Sequence, residues 1–379
     1  MDPDWEHLPR HLLDSVIGRF VKPSDFLRFS IVCKSWYSVA KDNKSKLAKM
    51  TTPMLLISTN KRRTWNLYNI VENRVVDMQF SVPNKRYCGS SKGWLIAVEK
   101  NYAVTLVNPF FRLKGRRKKE NSIIRLPPMP APLERDMWKE WSRTCEYYAF
   151  RSTLSADPIL NAEDCVLVII YGEYSQMAFI RPRRDKTWIC IDKKWTIIQE
   201  VLYFGDKFYA LDHWSNLLSF EVSAESSSNV RKLVHYSSKS QPCMKYLVVL
   251  NDKELLMVIR YYDYGAELRV TVGFKIFEFN FHECDWSERD TLGNVALFLG
   301  DNSSVSIPVS NFLECQSNCI YFIHDMDRDG YYYPVPSHSD FGVYDVKTKK
   351  ILPPFSMHAT TLVKDTKWPP IWVVPTFYL

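Results

Sequence analysis

The sequence predicts a multidomain α+β chain. A small module of three helices occupies residues 1–42, a linker follows at 43–53, and a large all-β domain over 54–379 is built as a propeller of six or seven blades. Three observations carry this reading. As far as Lys41, apolar residues recur at the helical steps of one, three and four. Beyond Pro53 that period gives way to alternation with a period of two, as strands require. A polar turn followed by an aromatic-aliphatic strand then returns at Lys92, Asp206 and Asn318, which is how repeated β-units show themselves.

Leu12, Leu13, Val16, Ile17 and Phe20 give the first helix its apolar content. Pro9 is tolerated near its start, because the amide it lacks would be unpaired there anyway. The stretch Phe20-Val21-Lys22-Pro23 ends it. Ser24 is placed to cap a second helix, and Asp25 adds negative charge at the positive end of its dipole. Phe26, Leu27, Phe29, Ile31 and Val32 are the apolar residues of that helix, and a third short helix runs through Cys33, Trp36, Tyr37 and Val39. So small a module cannot bury all this apolar surface within itself, since modules of about forty residues usually lean on a metal, disulfides or a partner. A partner is therefore expected.

These residues resemble a known module. Leu8-Pro9, Leu12-Leu13, Ile17, Asp25, Leu27 and the closing Val32-Cys33-Lys34-Ser35-Trp36 are similar to an F-box, which docks onto the Skp-type adaptor of cullin-based ubiquitin ligases. The resemblance implies that Leu8, Pro9, Leu12, Leu13, Ile17, Leu27, Val32 and Trp36 bind the adaptor. His11 stands where the family often carries an acidic residue, a departure that touches one polar contact and leaves the apolar framework intact.

Tyr, Phe and Trp make up 14% of the 379 residues, a share that favours strands and binding surfaces over disorder. The formal charge of +8 comes largely from loop clusters, so a nucleic-acid partner is permitted and not required. Nine cysteines without a repeating spacing argue against a disulfide framework. The N-terminus opens on Asp2, Asp4 and Glu6 with no apolar signal core. The longest apolar runs, such as Val166 to Tyr171, fall far below the roughly 18 residues that span a membrane. The expectation is a reducing nuclear and cytoplasmic location, with no membrane and no cofactor.

In the β-domain, Tyr246 to Leu250 and Leu255 to Tyr261 flank Asn251-Asp252-Lys253 as a hairpin, and Val166 to Tyr171 reads as a strand buried on both faces. Between Arg269 and Phe281 the alternation of Val270, Val272, Phe274 and Ile276 slips to Phe277, Phe279 and Phe281, which predicts a bulge or a change of buried face. There is no Gly-Gly pair of the kelch kind, no Trp-Asp dipeptide, and only 12 glycines. An antiparallel sandwich also accommodates such strands. The order of motifs resembles a large plant family of F-box proteins whose C-terminal domain is long labelled as of unknown function. The resemblance is carried by Leu292 to Gly300, Ser303-Ser304-Val305-Ser306, Asn318 to Phe322 and Gly342 to Asp345.

Four constellations invite a chemical reading. Gly89-Ser90-Ser91-Lys92-Gly93 matches the nucleophile elbow in letters, but a strand and not a helix follows it, so a blade-opening turn is expected. Asp325, Asp327 and Asp329 with Gly330 open like a calcium loop, yet Pro336 replaces the bidentate Glu, which leaves an acidic loop. Cys315, Cys319 and His324 lack the fourth ligand of a structural zinc site and read as buried thiols. The basic run Lys114, Arg116, Arg117, Lys118 and Lys119 suits either nuclear import or a solvated hairpin loop.

No convincing catalytic set emerges. The expected function is a non-catalytic substrate receptor of a Skp-cullin-F-box ubiquitin ligase, holding an unidentified protein target for ubiquitination and proteasomal degradation. The alternatives are a propeller hydrolase or metal-dependent enzyme, and a basic β-domain that binds nucleic acid. Two aromatic loops are the expected target surface: Met129 to Phe150, with Trp138, Trp141 and Tyr147, and Met326 to Phe341, with Tyr331, Tyr332 and Tyr333.

Overall fold

A computed structural model of the chain describes residues 5–20, 23–58, 65–70, 73–76, 85–110, 122–130, 145–191, 197–222, 230–234, 243–264, 269–309, 315–325, 340–352, 361 and 368–376. After a 3₁₀ turn at Trp5–His7, the N-terminal module holds four helices and not three: α1 (Arg10–Gly18), α2 (Pro23–Ser30), α3 (Lys34–Asp42) and α4 (Lys44–Met50). The expected linker at 43–53 is thereby corrected. Leu47 of α4 is buried with Leu13, Ile17, Phe26, Phe29, Val39 and Ala40. The Lys46 ammonium donates to the Ile17 carbonyl at 2.6 Å, which also accepts from the Phe20 N–H at 3.1 Å, and so ties α4 to the end of α1. Leu47, Ala48 and Met50 among three lysines in a seven-residue stretch were too short a periodic signal to show this. A second correction concerns α2, which begins at Pro23, so Ser24 lies within its first turn and not before it.

The β-domain is a ring of six sheets, which settles the blade number and removes the sandwich alternative. The first blade contains β1 (Met54–Ser58), β2 (Trp65–Asn69) and β3 (Arg74–Val76). The second is β4 (Gly89–Ser91), β5 (Trp94–Val98), β6 (Ala103–Val107) and β7 (Ile123–Pro128). A short helix, α5 (Cys145–Tyr148), leads into the third: β8 (Ala149–Leu154), β9 (Leu167–Tyr171), β10 (Gln176–Ile180) and β11 (Ile189–Ile191). The fourth is β12 (Ile198–Phe204), β13 (Lys207–Asp212), β14 (Leu217–Phe220) and β15 (Arg231–Val234). The fifth is β16 (Cys243–Leu250), β17 (Glu254–Tyr264), β18 (Arg269–Asn280) and β19 (Asp285–Arg289).

The sixth blade departs from this meander. It holds β20 (Val295–Gly300), β21 (Ser303–Pro308), β22 (Cys319–Phe322), β23 (Gly342–Asp345) and β24 (Lys350–Leu352). The hairpin partner β21 takes the innermost position, and β20 runs parallel to β22, with Ala296 opposite Cys319. The last strand, β25 (Ile371–Val373), returns to the first blade and pairs antiparallel with β1, Leu55 opposite Trp372. N- and C-terminal halves thus close one ring, with β25, β4, β8, β12, β16 and β21 around its central channel.

The core lies between blades, which is why strands such as β9 are apolar throughout. Trp94, Ile96 and Leu106 pack on Leu167 and Ile169 across the second and third blades. Leu55 and Trp372 of the first blade meet Phe298 and Tyr321 of the sixth. In β18 the slip is a change of face: Phe274 and Ile276 join the sixth blade's core, whereas Phe277 and Phe279 join the fourth's. The register irregularity falls earlier, at Val272, and Val270 and Val272 are exposed. The turns read from sequence at Lys92, Asp206, Asn251-Asp252 and Asn318 all adopt the left-handed conformation that Asn and Asp tolerate best. Among the described residues no helix is long and apolar enough to cross a membrane.

Candidate functional site

The helical module carries two apolar stripes on α1. Leu13 and Ile17 point inward and are fully buried, so the structure corrects their expected role as adaptor contacts: they hold the module together. Pro9, just before α1, and Leu12 and Val16 within it, spaced three and four apart, form an exposed stripe that flanks the buried one, and Trp5, Ile31 and Val32 are exposed beside the helices. Leu8, Leu27 and Trp36 are half-buried against the module core. Trp36 packs on Phe29 at 4.5 Å between centroids, and its indole N–H donates to the Trp5 carbonyl at 2.9 Å, which ties the N-terminal turn to α3.

The propeller has two ends of different character. Its inner strands run in one sense: Arg151 of β8 faces Glu200 of β12, both near the strand starts, and Leu154 and Ser91, both at strand ends, meet through a 3.1 Å bond. We call the end where they start the upper end. The chain between β7 and β8, and that between β22 and β23, both leave and rejoin the ring there. The ends of β6 and β7 that flank the segment with the basic run are at the lower end. Topology therefore brings the stems of both expected target loops to one end and the stems of the β6–β7 segment to the other. Trp138, Trp141, Tyr331, Tyr332, Tyr333 and the basic run Lys114 to Lys119 lie outside the described residues.

Tyr147 is described, and it is half-buried beneath the upper end, 6.0 Å from Trp368 with the Arg86 guanidinium 5.9 Å from its ring centroid. It offers less surface than its loop position implied. Tyr148 is buried, donating to the Pro130 carbonyl at 2.7 Å. Large apolar residues that the sequence reading did not assign to a target surface are exposed at this end: Tyr174, Ile197, Trp214, Val270 and Val272. Trp214 sits in the β13–β14 turn, edge-on to His213, whose amide donates to the Ile197 carbonyl at 2.9 Å. Its signal in the sequence was a Trp inside a short His-Trp-Ser-Asn turn between two apolar strands.

Beneath the upper end lie buried ion pairs. Arg86 pairs with Asp301 at 2.7 Å across blades two and six, and Arg151 with Glu200 at 3.1 Å across blades three and four. Arg260 joins Asp325 at 2.9 Å and Asp340 at 3.0 Å, and its Nε donates to Thr271 at 2.7 Å. Asp325 also accepts from the hydroxyls of Tyr246 and Tyr262. Burial works against the charge on Arg260, but Tyr262, Tyr246, Asp340 and Asp325 outweigh it and hold its pKa well above the ordinary range. Asp325 and Asp340 are the two stems of the β22–β23 loop, so Arg260 grips that loop at its base.

These contacts resolve the chemical motifs. Asp325 is taken up by Arg260 and two tyrosines, and Asp327 and Asp329 lie outside the described residues. Ser91 is in the β4–β5 hairpin, its hydroxyl accepting from the Leu154 N–H. Gly89 is there because a Cβ would stand 2.8 Å from the Ser152 carbonyl on the neighbouring inner strand, and Gly93 because its φ is +79°. Cys315 and Cys319 are buried, and burial pushes the Cys319 thiol up to about 11. Among the described residues no group of three or more His, Cys, Asp and Glu could hold a metal ion.

Residues 67–345 match the KIB1-4 beta-propeller family, and residues 5–45 match the F-box-like family. The chain belongs to the KIB1-4 β-propeller family. Its relatives include the F-box protein At2g26160 of Arabidopsis thaliana, 23% identical over 86% of this chain and 97% of that protein. The F-box protein SKIP23 of the same plant is 24% identical over 92% of this chain and 90% of its own length. The Cps50 (Swd1) β-propeller domain of Myceliophteria thermophila aligns over 80% of this chain and 85% of that domain, at 8% identity and a TM-score of 0.37. This KIB1-4 family chain thus joins an F-box-like module to a six-bladed ring, the combination for which the plant F-box resemblance stood.

Proposed function

We propose that the chain is the substrate-recognition subunit of a Skp-cullin-F-box ubiquitin ligase. The observation that carries this is the F-box-like match at 5–45 lying on a module whose α1 presents a second apolar stripe, Pro9, Leu12 and Val16, that its own core does not use. On this reading the Skp-type adaptor covers that stripe with Leu8, Leu27, Val32 and Trp36 at its margins, while Leu13 and Ile17 act by shaping the helices. The propeller holds a target protein at its upper end, the end that carries Trp214, Tyr174 and Ile197 together with the stems of the two aromatic loops. Such a receptor makes no bonds itself; it raises the concentration of target lysines near the ubiquitin thioester. Work in the nucleus and cytoplasm fits this role, with the basic run as the import signal.

The test separates the two stripes. Leu12→Asp with Val16→Asp alters only exposed positions and is expected to abolish pull-down of the Skp-type adaptor while the unfolding transition stays unchanged. Leu13→Ala is expected to cost about 2–5 kcal/mol of module stability. Adaptor capture by the exposed-stripe variant at wild-type level would overturn the assignment.

A further inference from the structure

We propose that the lower end of blades four and five is a docking surface for a basic, arginine-bearing segment of a partner protein. Phe204 closes β12 and Phe281 follows β18, and the fold sets their rings 6.2 Å apart at this end. Phe281 is 43% exposed. Phe279 stands edge-on to it at 4.9 Å and Tyr209 at 5.9 Å, so the exposed ring rests on the aromatic core between the two blades. The turn that presents it is fixed. Asn280 Oδ1 accepts from the amides of His282 at 2.9 Å and Glu283 at 3.2 Å, and Cys284 follows in the left-handed conformation.

Charge decides what such a platform takes. Carboxylates on the strands of these blades have cations: Glu221 with Lys207 at 2.9 Å, Glu278 with Arg289 at 3.0 Å and Glu288 with Lys275 at 3.3 Å. Those beside the two rings do not. Asp206, Glu283 and Asp285 are exposed within four positions of Phe204 or Phe281, and none has a lysine or arginine partner among the described residues. Asp206 accepts from the Tyr203 hydroxyl at 3.4 Å and Asp285 from the Trp286 amide at 2.7 Å, which leaves both charges uncompensated. The neighbouring β16–β17 turn adds Asp252 and Lys253, of opposite sign, and so does not alter the balance.

An aromatic face bordered by free carboxylates is complementary to a cation that is flat and weakly hydrated. A guanidinium stacks on the ring while its fork of donors reaches the carboxylates, which the compact ammonium of lysine does less well. The same negative rim repels the phosphates of nucleic acid. The platform lies at the opposite end from the proposed target face, and the inference does not rest on that reading or on adaptor docking.

The full-length chain would be titrated with a fluorescein-labelled octapeptide of alternating arginine and glycine, followed by anisotropy at two salt concentrations. Its counterparts carry lysine or glutamate in place of arginine. Saturable binding of the arginine peptide is expected, with the lysine peptide weaker and the glutamate peptide inert. Phe281→Ala should weaken the arginine peptide about fivefold, as loss of one exposed cation–π contact would. Asp206→Asn with Glu283→Gln and Asp285→Asn should weaken it and flatten its salt dependence. All four positions are exposed, and an unchanged melting temperature certifies each variant. The proposal is overturned if the arginine peptide does not saturate, if the lysine peptide binds equally well, or if both variants bind as wild type does. It is equally overturned if sedimentation shows the chain to dimerise and Phe281→Ala to abolish the dimer, since a second copy would then be the occupant.

Discussion

Arg260 is the residue on which the upper end turns. It is fully buried, it meets two carboxylates and a threonine, and the rings of Phe322 and Tyr262 lie 4.6 and 5.1 Å from its guanidinium carbon. Its planar fork is what allows Asp325 and Asp340, fifteen positions apart in the chain, to be held together. Removing one member of such a cluster leaves the others buried without compensation, at a cost of about 3–5 kcal/mol. Arg260→Met is therefore expected to lower the unfolding free energy, read from urea titration, by that amount, and adding Asp325→Asn and Asp340→Asn should recover part of the loss. A single variant as stable as wild type would show the cluster to be energetically idle. In the sequence Arg260 was one arginine at the polar end of an apolar strand, and Asp325 read as the start of an acidic loop; only the fold shows them to be partners.

At the scale of the element, ring closure rests on three residues of β25. Trp372 is fully buried, donates its indole N–H to the Leu299 carbonyl at 3.1 Å, and stands edge-on to Phe298 at 5.1 Å. It thus joins the first blade to the sixth, and a propeller whose ends part loses its last inter-blade core. Trp372→Ala is expected to cost about 3–5 kcal/mol. Ile351→Ala, on the exposed side of β24, should change stability by no more than about 0.5 kcal/mol. Thermal unfolding of both variants checks this, and equal shifts would argue against β25 as the closing strand. A comparable lesson comes from α4, which a basic, Lys-rich stretch concealed although Leu47 and Lys46 make it part of the module.

For the whole molecule, the consequence of six blades is that loops distant in sequence share an end. Exposed aromatics presented by a rigid ring are suited to be interface anchors, and truncating one such anchor typically costs about 2 kcal/mol or more, roughly thirtyfold in affinity. Trp214→Ala combined with Tyr174→Ala should reduce target capture under proteasome inhibition without changing adaptor binding. Phe281→Ala, at the lower end, should leave capture unaltered. If the lower-end variant is the one that loses targets, the target face has been placed at the wrong end.

The sequence by itself determined the parts: an N-terminal helical module, a change to period two after Pro53, polar turns at Lys92, Asp206 and Asn318, and strands apolar enough to be buried on both faces. These follow from local periodicity and backbone preference, which neighbours in the chain decide. The blade number, the use of β25 to close the ring, the insertion of β21 and the inward stripe of Leu13 and Ile17 were decided only by tertiary structure. So were the pairing of Arg260 with Asp325 and Asp340 and the aromatic platform of Phe204 and Phe281. Each joins residues far apart in the chain, and a sequence carries no direct record of which apolar face or which charge will be opposite another once the blades have packed.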